Sequence, residues 1–196
     1  MFFYSLYMKT RFLTLLFGTV VVLVFISSSG APIGSTGAHG ELTCGKSGCH
    51  VGLNGTANIN TGIGELKINS AQNISNYIPG ETYEITVSLK EEGVERFGFS
   101  LTVLDSSNQK AGEIIITDSS RTQLYKGARE FSNREYATYR MAGTNPYDAG
   151  IGLWTFKWKA PEQHIGKITF YTAGISANND GTDKGDRVYT QTLISQ

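Results

Sequence analysis

Hydrophobic and polar side chains alternate, residue by residue, along much of this chain after residue 80. Trp154, Phe156 and Trp158, for example, are separated by Thr155 and Lys157. A period of two is typical of a β-strand that buries one face and exposes the other. The same alternation, or a shorter β-rich run, recurs at residues 83–89, 97–103, 112–117, 135–140, 167–172 and 188–193.

Turn signals separate these runs, and no long segment has the 3.6-residue period of an amphipathic helix. Pro79-Gly80 and Asn178-Asn179-Asp180-Gly181 are examples of such turns. Aromatic residues make up 11% of the chain, which favours strands. We therefore predict an all-β fold, an immunoglobulin-like antiparallel β-sandwich of about seven or eight strands. The one helical turn is predicted at residues 119–129.

The N-terminus has the features of an export signal. Lys9 and Arg11 precede an apolar run at residues 12–26, which is shorter than the span of about 20 residues that crosses a membrane. Ser28 and Gly30 are small residues suited to cleavage before residue 31. Cleavage would release a secreted, periplasmic or cell-surface protein, whereas an uncleaved segment would be a membrane anchor.

The chain thus divides into a signal peptide at residues 1–30, a Gly-rich loop at 31–64 and the β-sandwich at 65–196. The formal net charge is zero, with 17 basic and 17 acidic residues, and the absence of a basic run argues against a nucleic-acid partner. No hydrolase motif accompanies His39 or His164. We predict no enzymatic activity beyond redox chemistry, and a protein or redox partner at the cell surface.

The predicted loop contains the only two cysteines, Cys44 and Cys49, and His50 directly follows the second. Two thiols and an adjacent imidazole are the groups that attach a c-type haem. The usual motif is Cys-x-x-Cys-His, whereas four residues separate the cysteines here. Glycines in the insertion permit the longer loop to bulge outward. We predict haem c, with Cys44 and Cys49 as thioethers and His50 as the proximal iron ligand.

Three residues are candidates for the distal iron ligand, namely Met141, His39 and His164. We select Met141, although a methionine more often fills space in a hydrophobic core. A histidine in a turn, such as His164, is usually solvated. Methionine or histidine in that place would set the iron potential differently.

Two alternatives to haem remain open for the cysteine motif. In an oxidising compartment, a Cys44–Cys49 disulfide would pin the loop of a structural or adhesive module. A tetrahedral metal site would instead draw on His39, Cys44, Cys49 and His50. A separate, oxygen-rich loop could hold calcium; its residues are Asn178, Asn179, Asp180, Asp183 and Asp186.

Several short motifs follow the cysteine motif in a recognisable order. They are Tyr77-Ile78-Pro79-Gly80-Glu81-Thr82-Tyr83, Arg96-Phe97-Gly98-Phe99, Trp154-Thr155-Phe156-Lys157-Trp158-Lys159-Ala160-Pro161, Thr169-Phe170-Tyr171-Thr172-Ala173-Gly174 and Asn178-Asn179-Asp180-Gly181. Over residues 35–193 the chain resembles the bacterial reeler-like proteins called the choice-of-anchor V family. The resemblance implies a secreted or surface-attached reelin-type β-sandwich with a Cys-Cys-His motif like a c-type haem site. It also implies that Tyr139 stands where relatives often carry a histidine.

Overall fold

The computed structural model describes residues 30–45 and 49–196, so the predicted signal peptide lies almost entirely outside the described residues. Two short 3-10 helices, Arg129–Phe131 and Met141–Thr144, are the helices of this part of the chain. Neither of them is long and apolar enough to cross a membrane. Nine strands lie within the described residues, namely β1 (Glu65–Ser70), β2 (Thr82–Lys90), β3 (Arg96–Asp105), β4 (Glu113–Ile116), β5 (Thr122–Lys126), β6 (Glu135–Tyr139), β7 (Ile151–Lys159), β8 (Ile168–Ala177) and β9 (Arg187–Ser195).

The strands form two antiparallel sheets that pack face to face. One sheet has the order β1-β2-β7-β4 and the other the order β5-β6-β3-β8-β9. The alternating residues of β2, β3 and β7 point between the sheets, and their largest members, Trp154, Phe156 and Phe99, are almost completely buried. Burial of this apolar surface is the main stabilising contribution to the fold. The predicted all-β antiparallel sandwich is confirmed, with nine strands rather than seven or eight.

The helical turn predicted at residues 119–129 is wrong. Five of its eleven residues form strand β5, which pairs with β6 from Thr122 opposite Tyr139 to Lys126 opposite Glu135. The strand lies at the sheet edge, and its one fully buried side chain is the polar Thr122. Its hydrophobic period is therefore weak, and pairing with β6 determines its conformation.

The segment before β1 covers the outer face of the five-stranded sheet. Cys44 packs there in a small apolar cluster with Ala173, Ile175 and Val188. Ile59 forms a parallel bridge to Val188, so this segment also hydrogen-bonds along the free edge of β9. These contacts hold the cysteine motif against the ends of β8 and β9.

Candidate functional site

His50 contacts a buried carboxylate from the other end of the chain. Its Nδ1 lies 2.5 Å from Oδ2 of Asp186, whose side chain is only 2% exposed. The other oxygen, Oδ1, accepts a hydrogen bond from the backbone N–H of Asn178 at 3.0 Å. Since an ionised carboxylate can only accept, the proton of this pair belongs on Nδ1. The remaining nitrogen, Nε2, is then the one available to a metal, as in carboxylate–histidine–metal arrangements.

Both thiols of the motif share a cavity with His50. This cavity has a volume of about 150 Å³, and Tyr139 and Ile175 form part of its wall. Cys44 is buried, and its Sγ donates to the carbonyl oxygen of Ser35 at 3.5 Å, whereas Cys49 is partly exposed. No disulfide joins the two cysteines in the structure. The Cys44 thiol instead faces the Ser35 carbonyl and the apolar cluster.

A second, larger cavity of about 320 Å³ adjoins the first. The two cavities have His50, Tyr139 and Ile175 in common. Met141 lines the larger one from the 3-10 helix Met141–Thr144, and this side chain is 65% exposed. The structure therefore brings the predicted distal ligand to the same cavity as His50. The other lining residues are Arg96, Phe97, Gly98, Thr144, Ala177 and Asn179.

Tyr139 lines both cavities. Burial raises the pKa of its phenol to about 12, and Cys44 and Tyr125 add smaller contributions. A Cβ atom at Gly98 would lie 2.9 Å from the Tyr139 ring, so glycine at that position allows the ring to pack closely. The phenol is consequently neutral at physiological pH.

The raised pKa of Tyr139 predicts a loss of stability at alkaline pH. The contribution of this neutral phenol to the stability of the fold is fully present below pH 10, the pKa of the unfolded state. It is lost as the pH rises toward about 12, the pKa of the folded state. We expect the wild type to lose up to about 2 kcal/mol more than Tyr139→Phe between about pH 8 and about pH 12. Urea unfolding at both pH values measures this difference. The exposed Tyr147→Phe is the control, and an equal alkaline loss in the Tyr139 and Tyr147 variants would contradict the prediction.

The two other histidines lie outside both cavities. His39 is exposed, and its backbone carbonyl accepts from Nη2 of Arg134 at 2.9 Å. His164 stacks on Tyr77, with ring centroids 4.9 Å apart. Within residues 30–45 and 49–196, no group of three or more His, Cys, Asp or Glu side chains is arranged to hold a metal ion. The four-ligand site that combines His39 with the cysteine motif is therefore wrong.

The oxygen-rich loop before β9 uses its side chains within the protein. Oδ1 of Asp180 accepts from the backbone N–H and the hydroxyl of Thr182, both at 2.8 Å, and these bonds lower the pKa of Asp180. Asp186 contacts His50 through Oδ2 and the backbone N–H of Asn178 through Oδ1. Calcium binding stays a prediction that no contact of this loop supports. In the sequence, Asp186 stands among the candidate calcium ligands, and no local pattern marks it as the residue that orients His50.

No protein-family model and no curated protein matches this sequence, so membership of the choice-of-anchor V family stays a prediction. Among solved structures, the chain is similar to the human F-spondin reeler domain, with 19% identity and a TM-score of 0.47 over 67% of this chain and 89% of that one. The chain is also similar to the Reelin-N domain of F-spondin, with 19% identity and a TM-score of 0.46 over 67% of this chain and 86% of that one. A cohesin module from a Clostridium perfringens family 33 glycoside hydrolase is similar with 9% identity and a TM-score of 0.44, over 68% of this chain and 93% of that one. Likeness at this level says nothing about ligands or partners.

Proposed function

We propose that this protein is an exported reeler-like β-sandwich that carries one covalent c-type haem for electron transfer or haem-linked sensing. The observation that supports this function best is the contact between His50 Nδ1 and buried Asp186. It orients the imidazole and leaves Nε2 for iron, next to two thiols on the same cavity wall. The predicted export signal adds support, because disulfide-permissive compartments outside the cytoplasm are where haem attachment takes place.

The donor set of the two cavities fits a c-type haem. Cys44 and Cys49 would supply the two thiols for thioether bonds, and His50 and Met141 would supply a nitrogen and a thioether sulfur to the iron. Asp186 keeps the proton on Nδ1 and fixes the ring orientation. Phe97 and Ile175 provide apolar walls to the site. When bound, haem would supply one-electron redox chemistry.

Covalent attachment predicts a haem-stained band at the mass of the protein on a denaturing gel. The chain would be expressed with its export signal in a host that has cytochrome c maturation machinery. Thioether bonds survive denaturation, so the wild type should stain, and a Cys44→Ser/Cys49→Ser double variant should lose the stain completely. Ser107→Ala, in an exposed turn away from both cavities, is the control that should stain like the wild type.

An unstained but folded and exported wild type would overturn the haem proposal. A structural or adhesive module without haem would then be the better account. The disulfide expected for such a module is not present between Cys44 and Cys49 in the structure.

A further inference from the structure

Arg96 is a cation at the wall of the larger cavity. It is the first residue of β3, and its Nη1 donates to Oγ1 of Thr144 at 2.9 Å and to Oδ1 of Asn145 at 2.6 Å. Both acceptors are neutral. Among the described residues, no carboxylate forms an ion pair with this guanidinium. The cavity therefore contains an uncompensated positive charge that is already positioned by its neighbours.

Two other partly or fully buried arginines, unlike Arg96, each form an ion pair with a carboxylate. Arg134 pairs with Glu41, and Arg187 pairs with Glu91, as buried charges normally require a counterion. Arg96 has Nε and Nη2 left for a partner, and these two donors form the planar fork that binds a carboxylate in bidentate geometry. Its charge and its remaining donors therefore suit an external carboxylate.

The loop that positions Arg96 is itself anchored. Arg121 donates from Nη1 to the carbonyl of Ala142 at 3.2 Å and from Nη2 to the carbonyl of Asn145 at 2.8 Å. These bonds hold the 3-10 helix Met141–Thr144 and the residue that follows it. The guanidinium of Arg96 thus rests on a fixed support, which reduces the entropy that a bound carboxylate would have to offset.

The order of groups along the two cavities matches the order of groups across a haem. The small cavity contains Cys44 and Cys49 but not Arg96, the larger one contains Arg96 but neither cysteine, and His50 lies in both. A haem likewise has its vinyl groups at one edge, iron in the middle and propionates at the other edge. We infer that Arg96 binds a haem propionate, an inference that rests on the haem proposed above.

Comparing iron protoporphyrin IX with its dimethyl ester tests this inference. The reduced, full-length chain, made without maturation machinery, would be titrated with each compound while the Soret band is monitored. The wild type should bind the free acid about tenfold more tightly than the ester, since only the acid offers a charged carboxylate. In Arg96→Gln the two affinities should become equal. Arg140→Gln removes an exposed charge outside both cavities and should keep the tenfold ratio.

Each outcome decides between the two proposals. A preference for the free acid that persists unchanged in Arg96→Gln would overturn the role of Arg96 while haem binding itself would stand. Absence of a Soret shift with both compounds would overturn the proposed haem function. If Arg96→Gln does not fold, Arg96→Lys keeps the charge but loses the planar fork, and its ratio should fall below that of the wild type. A ratio equal to the wild type's in that variant would also overturn the inference.

Discussion

On the proposed haem function, replacing His50 with alanine is expected to abolish the native haem spectrum of the protein. The thioethers would still retain the porphyrin, but the iron would lose the nitrogen that Asp186 orients. The variant also leaves the buried Asp186 with fewer partners, at a cost of about 1–3 kcal/mol in stability. Absorbance spectra of the oxidised and reduced protein measure the first effect, and urea unfolding measures the second.

Two further variants separate ligation from a general disturbance of the loop. Asp186→Asn keeps the size of the side chain but removes its charge. The affinity of the His50 Nε2 atom for iron should therefore fall about 10–100-fold. His164→Ala removes a histidine that stacks on Tyr77 outside both cavities, and its spectrum should equal that of the wild type. A native spectrum in His50→Ala would refute the assignment of the proximal ligand.

The strands that bury one face could be predicted from sequence because burial imposes a period of two. The alternation at residues 83–89, for example, predicts a strand, and these residues fall within β2, Thr82–Lys90. Strand β8 extends beyond the predicted 167–172 to Ala177, and its last half is buried on both faces. The Cys44 segment covers the outer face there, so the alternation that marks a half-exposed strand is missing.

Some residues of the candidate site are marked by the local sequence, whereas others are brought to it only by long-range packing. Cys44, Cys49 and His50 could be selected from sequence because the motif is nearly contiguous. The contact between His50 and Asp186 joins residues 136 positions apart, and it exists only because the segment before β1 packs against the β8–β9 connection. Arg96 reaches the same place from the start of β3, and no local pattern marks it as part of the site.

A buried ion pair fastens the segment that carries Cys44 to the sandwich. The Glu41 side chain is fully buried, and its Oε1 accepts from Nη1 of Arg134 at 2.6 Å and from the hydroxyl of Tyr136 at 2.7 Å. Its Oε2 accepts from the backbone N–H and the hydroxyl of Thr36, at 3.0 and 2.5 Å. Burial and the hydrogen bond to Glu41 raise the pKa of Tyr136, so its hydroxyl remains a donor at physiological pH.

Arg134→Met should therefore destabilise the protein by about 3–5 kcal/mol, because it leaves the Glu41 carboxylate buried without its counterion. Denaturant unfolding of the haem-free protein measures this loss, and Arg140→Met, at an exposed position, should change the free energy of unfolding by less than about 0.5 kcal/mol. A Glu41→Gln/Arg134→Met double variant should recover part of the stability, since the isolated charge is gone. Because Cys44 is only 4% exposed in the folded protein, its thiol should react faster with an aromatic disulfide reagent in Arg134→Met than in the wild type. An unchanged reaction rate together with the full stability loss would mean that the ion pair stabilises the sandwich without holding the cysteine segment in place.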